Sequence, residues 1–161
     1  MATSSLKKLF DTLPQIGQLK SIAIRPVKRG PLEAVAQVSI SVDDGLLGDH
    51  YQGKSRKRQV TLIQAEHLDA VGNMLGGIDI DPLLTRRNLV VSGINLLALK
   101  GKQFRIGEEV ILETTGPCEP CSRMETNFGP GGYNAMRGHG GICAKVIRGG
   151  VIRIGNDVKL S

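Results

Sequence analysis

Apolar residues at every second position, in short runs broken by glycine, most restrict the folds open to this chain. Ile22 and Ile24 alternate, as do Val38, Ile40 and Val42, which is the period of strands with one buried face. Leu19 to Pro26 and Val35 to Val42 therefore read as strands joined across an Arg29-Gly30-Pro31 turn. Gln59 to Ile63, Asn88 to Val91, Ile142 to Ile147, Val151 to Ile154 and Val158 to Leu160 add strand-like segments, and Gln103 to Ile106 with Glu109 to Thr114 form a hairpin about Gly107. One segment keeps a different period: Leu68, Val71 and Leu75 predict a helix over 65–75, and Asp81 to Leu84 adds a helical turn. Many short strands with one pronounced helix describe a mainly β protein, a closed or nearly closed barrel rather than a layered α/β sheet. The loops at one barrel mouth would carry a site.

A length of 161 residues suits one domain. Residues 1–18, where Leu6, Leu9, Phe10 and Leu13 space a short amphipathic helix before Pro14, are set apart as an N-terminal appendage; 19–161 form the barrel domain. Aromatic residues are only 3% of the chain, so Val, Ile and Leu must build the core. A net charge of +6 suits an anionic partner such as a phosphorylated cofactor, a nucleic acid or a membrane surface. Lys54, Arg56, Lys57 and Arg58 form the one dense basic cluster, read first as a solvated loop. The scarcity of aromatics argues against base stacking on single strands. No stretch approaches the roughly 20 apolar residues of a spanning helix, and Met1 to Leu13 hold no signal-peptide core. Three cysteines, an odd number, point to free thiols in a reducing compartment, so a soluble cytoplasmic protein is expected.

The stretch from Gly116 to Gly141 reads as a long glycine-rich loop, and such loops are usually functional or disordered. It holds Gly116-Pro117-Cys118-Glu119-Pro120-Cys121-Ser122-Arg123. Cys-x-x-Cys serves as half a zinc site, as a redox dithiol, or as a nucleophile with a neighbouring thiol. Zinc would need completion by Cys143 and His139, whose spacing matches no second knuckle, and a redox pair would open a helix rather than sit among prolines. A nucleophilic, sulfur-accepting or metal-ligating thiolate needs positive charge nearby, which Arg123, Arg137 and His139 can supply. The pair is read as exposed, and Cys143, inside an apolar alternation, as core. Arg86-Arg87-Asn88 precedes an apolar strand, where guanidinium forks and an amide can hold a phosphate or polar ring. His50 and His67 have no evident partners, and His67 reads as surface.

Taken in order, these pieces resemble a MOSC domain, the module at the C-terminus of molybdenum cofactor sulfurases that also occurs alone. The resemblance runs over roughly residues 18–160 and is carried by Gly45-Leu46-Leu47-Gly48-Asp49, Arg58-Gln59-Val60-Thr61-Leu62-Ile63, Arg86-Arg87-Asn88-Leu89, Gly101 to Gly107, Pro120-Cys121 with Gly129 beyond, Gly149-Gly150, and Gly155-Asn156-Asp157-Val158. It implies a MOSC-type β-barrel and a cysteine that carries sulfane sulfur or ligates molybdenum. The preceding proline and the spacing to Asn127-Phe128-Gly129 select Cys121.

By the same resemblance, Arg86 and Asn88 bind the pterin of the molybdenum cofactor; Arg58, Arg137 and His139, as basic residues of the loops, are further cofactor-binding candidates. The chain lacks the aminotransferase-like desulfurase domain of its larger relatives, so pyridoxal phosphate would enter only through a partner. That partner is a cysteine desulfurase-type sulfur donor, and the acceptor is the molybdenum cofactor or another metal–sulfur centre. In the leading reading Cys121, ionised by Arg123 or Arg137, is a sulfur carrier, and glycines 129–141 form an anion nest. A second reading makes Cys121 the metal ligand of a molybdenum-pterin-dependent reductase component. A third, a basic nucleic-acid-binding module, rests on charge alone.

Overall fold

A computed structural model describes residues 2–51 and 55–161. Lys54, one member of the basic cluster, lies outside the described residues, as does Met1. The elements in chain order are α1 (Ala2–Asp11), β1 (Gly17–Ile24), β2 (Glu33–Val35), β3 (Gln37–Ser41), β4 (Gly45–Leu46), β5 (Val60–Gln64) and α2 (Ala65–Met74). A 3-10 turn (Pro82–Thr85), β6 (Leu89–Ser92), a second 3-10 turn (Leu96–Leu99), β7 (Gln103–Ile106) and β8 (Val110–Pro117) follow. The chain finishes with α3 (Arg123–Phe128), α4 (Gly132–Met136), β9 (Ile142–Arg148), β10 (Gly150–Arg153) and β11 (Asp157–Leu160).

Seven strands close into a barrel in the order β1, β6, β5, β9, β8, β7, β11, with β11 returning to β1 through Gly17 opposite Val158 and Gln18 opposite Asp157. Closure leaves no free edge on the ring, and β2 extends β1 on one side. Among the described residues only β5 and β6 run parallel, and the helix α2 lies in the crossover between them, as a parallel connection requires. Leu19, Leu62, Leu89, Phe104, Leu112 and Val146, each fully buried, belong to the interior cluster. A second cluster lies outside the barrel, where Ile63 and Val90 meet Leu68 and Val71 of α2 and Met124, Ala135 and Met136 of α3 and α4. Strand β5 is thus covered on both faces, and all its residues are buried.

Three sequence expectations change. The Val35 to Val42 run is not one strand: Ala34 pairs with Ala23 of β1, whereas beyond Ala36 the chain joins a separate small sheet with β10 and β4. Alternation fixed which face of this run is buried, and it carries no information about which neighbour it pairs with. The single pronounced helix becomes four among the described residues. The expected long loop from Gly116 to Gly141 is instead the end of β8 followed by α3 and α4. These helices are too short to show a period, and they persist through tertiary packing of Met124 and Met136 and through Glu125, whose carboxylate accepts the backbone N–H of Gly131 and Tyr133 at 3.0 Å each. At the other end, Asp11 of α1 meets Lys102 at 2.5 Å and Leu13 packs on the core, so the appendage is tied to the barrel.

Candidate functional site

At one mouth of the barrel, Arg25, Leu32, Asp49, His50, Tyr51, Arg58, Thr61, Arg86 and Asn88 line a cavity of about 150 Å3. Three guanidinium groups face one carboxylate there. Asp49 accepts the backbone N–H of Arg25 at 2.7 Å; burial raises its pKa, with the Arg25 hydrogen bond and charge opposing. Arg25 donates through Nη2 to the His50 carbonyl at 2.8 Å. Arg25 Nε and His50 Nε2, by contrast, are buried without a hydrogen-bond partner among the described residues. Buried polar atoms are almost always paired, so two orphans at one cationic cavity fit a ligand rich in acceptor oxygens.

Arg86 ends the first 3-10 turn in a left-handed conformation, φ 63° and ψ 31°, which aims its side chain back to the cavity, where Nη2 donates to the Gly30 carbonyl at 3.1 Å. Its pKa is lowered first by burial and then by the charges of Arg123 and Arg25, while Cys121 opposes them, so these four side chains lie within electrostatic reach of one another. Asn88 is committed inside the protein. Its Oδ1 accepts from Thr61 N and Thr61 Oγ1, both at 3.0 Å, and its Nδ2 donates to the Ala23 carbonyl at 3.1 Å.

The two cysteines of Cys-x-x-Cys occupy different environments. Cys121 is exposed and lines a neighbouring hollow with Pro120, Ser122, Glu125, Tyr133 and Asn134. Cys118 is 1% exposed, which corrects the expectation of an exposed pair. Its sulfur takes an N–H from Arg58 Nη2 at 3.6 Å. Arg87 is buried rather than solvated: its Nε donates to the Gly140 carbonyl at 2.7 Å and its Nη2 to those of Cys118 and Glu119 at 3.3 and 3.0 Å. Cys143 is buried as expected, and its Sγ lies 3.9 Å from the Pro117 carbonyl oxygen. The neighbouring Cys143 side chain and the charges of Arg87 and Arg58 hold Cys118 below the ordinary thiol range, to about 6, against the effect of burial. The Cys118 side chain and burial push Cys143 upward.

Two of the glycines in the expected anion nest serve packing: a Cβ on Gly140 would lie 2.0 Å from the Cys118 carbonyl oxygen, and one on Gly141 would lie 1.9 Å from that of Leu62. A Cβ on Gly129, Gly131 or Gly138 would meet nothing within 4 Å.

Arg86 lies within electrostatic reach of both Cys121 and Arg123. Arg137 is exposed and turned to Asn134 Oδ1 at 3.5 Å, and it does not line the cavity. His139 places Nδ1 3.0 Å from the Ala135 carbonyl and stacks edge-on with His67, ring centroids 4.9 Å apart, so His67 is a half-buried partner rather than a surface residue. Of the basic cluster, Lys57 and Arg58 are exposed, as a solvated loop expects, while Arg58 also reaches Cys118 and the half-buried Arg56 donates inward to the Val146 carbonyl at 2.5 Å. Among the described residues, no three His, Cys, Asp or Glu side chains converge as a metal site, and no helix is long and apolar enough to cross a membrane. Arg25, His50 and the clamp role of Arg87 escaped sequence reasoning. The usable signal was that His50 directly follows Gly48-Asp49 and that Arg87 lies inside Arg86-Arg87-Asn88, two of the blocks that carry the family resemblance.

A family model described as the MOSC domain matches residues 43–159. No curated protein matches in sequence. Among solved structures, the YuaD protein from Bacillus subtilis is similar, with a TM-score of 0.77 at 17% identity, covering 91% of this chain and 97% of that one. YiiM from Geobacillus stearothermophilus has a TM-score of 0.71 at 18% identity, covering 90% and 75%. YiiM from Escherichia coli has a TM-score of 0.67 at 18% identity, covering 89% and 69%. At such identities the likeness establishes the fold.

Proposed function

Because the chain belongs to the MOSC domain family, we propose that it is a sulfur carrier in which Cys121 takes sulfane sulfur from a cysteine desulfurase-type donor for delivery to a molybdenum-cofactor acceptor. The observation that carries this reading is an exposed thiol within electrostatic reach of Arg86, a residue that lines a cationic cavity with two orphaned polar atoms. The Cys121 thiolate attacks the outer sulfur of the donor persulfide; a new S–S bond forms at Cys121 as the donor's S–S bond breaks, and the donor thiolate leaves. No oxidant or reductant enters the exchange. Arg86 and Arg123 give the anionic persulfide cationic neighbours.

Arg25, Arg58, Arg86 and His50 would hold the phosphorylated pterin of the molybdenum cofactor, which when bound supplies the metal that takes up sulfur. Asn88 acts as a strut for this wall. Its amide bonds Thr61 and Ala23 and also reaches Asp49, so it fixes the cavity wall that it helps to line.

The test is incubation of the full chain with a cysteine desulfurase and cysteine, followed by intact mass. A one-sulfur adduct that disappears in Cys121→Ser supports the carrier, and an adduct independent of Cys121 rejects it. Metal and pterin content of protein from a molybdenum-replete host separates delivery from a standing ligand role: pterin and metal retained by the wild type and lost in Cys121→Ser would favour the ligand.

A further inference from the structure

The hollow that Cys121 lines and the cationic cavity share no lining residue. The thiol in contact with the cavity wall is Cys118, through the 3.6 Å approach of Arg58, a residue that lines the cavity. We propose that Cys118 is a second sulfur-carrying thiol, which receives the sulfane sulfur from Cys121 and presents it at Arg58 on the cavity side. This inference rests on the carrier reading above and extends it inward.

The exchange balances without a redox partner. The Cys118 thiolate attacks the outer sulfur of the Cys121 persulfide; the S–S bond to Cys118 forms, the S–S bond to Cys121 breaks, and Cys121 leaves as a thiolate. The transferred sulfur keeps its oxidation state, and one negative charge moves from Cys118 to Cys121. Arg58 donates to the attacking sulfur, and Cys143 lies beside it on the adjacent strand, where Gly116 and Pro117 of β8 pair with Cys143 and Ile142 of β9. Burial gives a persulfide at Cys118 what one at Cys121 lacks, shelter from solvent thiols that would strip it.

The segment between the two sulfurs suits the motion. Residues 119–121 are neither helix nor strand, and they link the end of β8 at Pro117 to the start of α3 at Arg123. Arg87 holds the inner end through the carbonyls of Cys118 and Glu119, and the Met124 N–H holds the Cys121 carbonyl at 3.0 Å, so the approach of the two sulfurs falls to the Cys121 side chain and to Glu119-Pro120 between these anchors.

The experiment loads the full wild-type chain with sulfur from a cysteine desulfurase and cysteine, quenches by alkylation at successive times, and locates the adduct by fragmenting the peptide that holds both cysteines. The expected result is an adduct on Cys121 first and on Cys118 later. In Cys118→Ser the adduct remains on Cys121, and in Cys121→Ser the Cys118 adduct is lost. An adduct that stays on Cys121 throughout, while sulfur still reaches an added acceptor, overturns the relay and leaves the carrier reading intact. Loading of Cys118 that survives Cys121→Ser overturns the proposed order. Absence of any adduct on either cysteine in the wild type sinks the carrier reading itself. The wild-type time course decides the question even if a variant fails to fold.

Discussion

Asn88 and Thr61 exchange three hydrogen bonds at the cavity wall: Thr61 N and Oγ1 donate to Asn88 Oδ1, and Asn88 N donates back to Thr61 Oγ1, each at 3.0 Å. With the further bond to Ala23, this ties β5 to the junction of β1 and β6. Asn88→Ala leaves buried Thr61 and Ala23 groups unpaired, and the expected cost is about 3 kcal/mol. Urea denaturation midpoints of the two proteins check it; a loss below about 1 kcal/mol would mean that the amide is not a strut.

Arg86 occupies φ 63°, a conformation that glycine adopts freely and arginine does not. Arg86→Gly should therefore keep stability within about 1 kcal/mol of the wild type. It should also weaken binding of a phosphate monoester by roughly tenfold, through loss of one charge-assisted contact. Calorimetric titration reads the affinity, and unchanged affinity would remove Arg86 from the anion site.

Stability should depend on pH through Cys118. Its folded pKa of about 6 lies below the thiol value in the unfolded chain, so between the two the unfolded state holds a proton that the folded state has released. The contribution is fully present above the unfolded value and is lost as pH falls through about 6. Cys143, shifted upward, acts in the opposite sense at more alkaline pH, where stability should decline again. Denaturation midpoints measured across this range should rise and then fall in the wild type, and Cys118→Ser should flatten the rising limb.

Gly141 combines a φ of 87° with a Cβ position 1.9 Å from the Leu62 carbonyl oxygen. Gly141→Ala should destabilise the protein by about 3 kcal/mol or more, because backbone must shift rather than a flexible side chain. Gly131 also has a positive φ, but its Cβ would meet nothing within 4 Å. Gly131→Ala should cost only about 1 kcal/mol from the backbone conformation. Thermal melts of both variants check the contrast; equal losses would refute the close-packing explanation.

The barrel was legible where a strand carries its own period, as in β7, β8 and β11, because each has one buried face. It was less so where chemistry depends on who sits opposite. Alternation could not send the chain from β2 to β3 across to a different sheet. It could not foresee that α3 and α4, at six and five residues, would be held by Met124, Met136 and Glu125. At the site, Cys121 stood out through the proline before it and through family resemblance, and exposure agrees with that choice. Arg25 and His50 gave no signal of their own, since their orphaned atoms exist only once the 49–51 loop folds against β1. His139 looked like a ligand in one dimension and spends its ring on His67 in three.

The ring of strands is sealed by partners from opposite ends of the chain, Gly17 and Gln18 against Val158 and Asp157. Such a seam brings together segments separated by almost the whole polypeptide, so its loop-closure entropy is met only after the intervening strands have assembled. High contact order of this kind places folding in the millisecond-to-second regime rather than the microsecond one. Until the seam zips, β1 and β11 each present an unpaired edge, and the newly made protein passes through an interval in which it can pair with strangers.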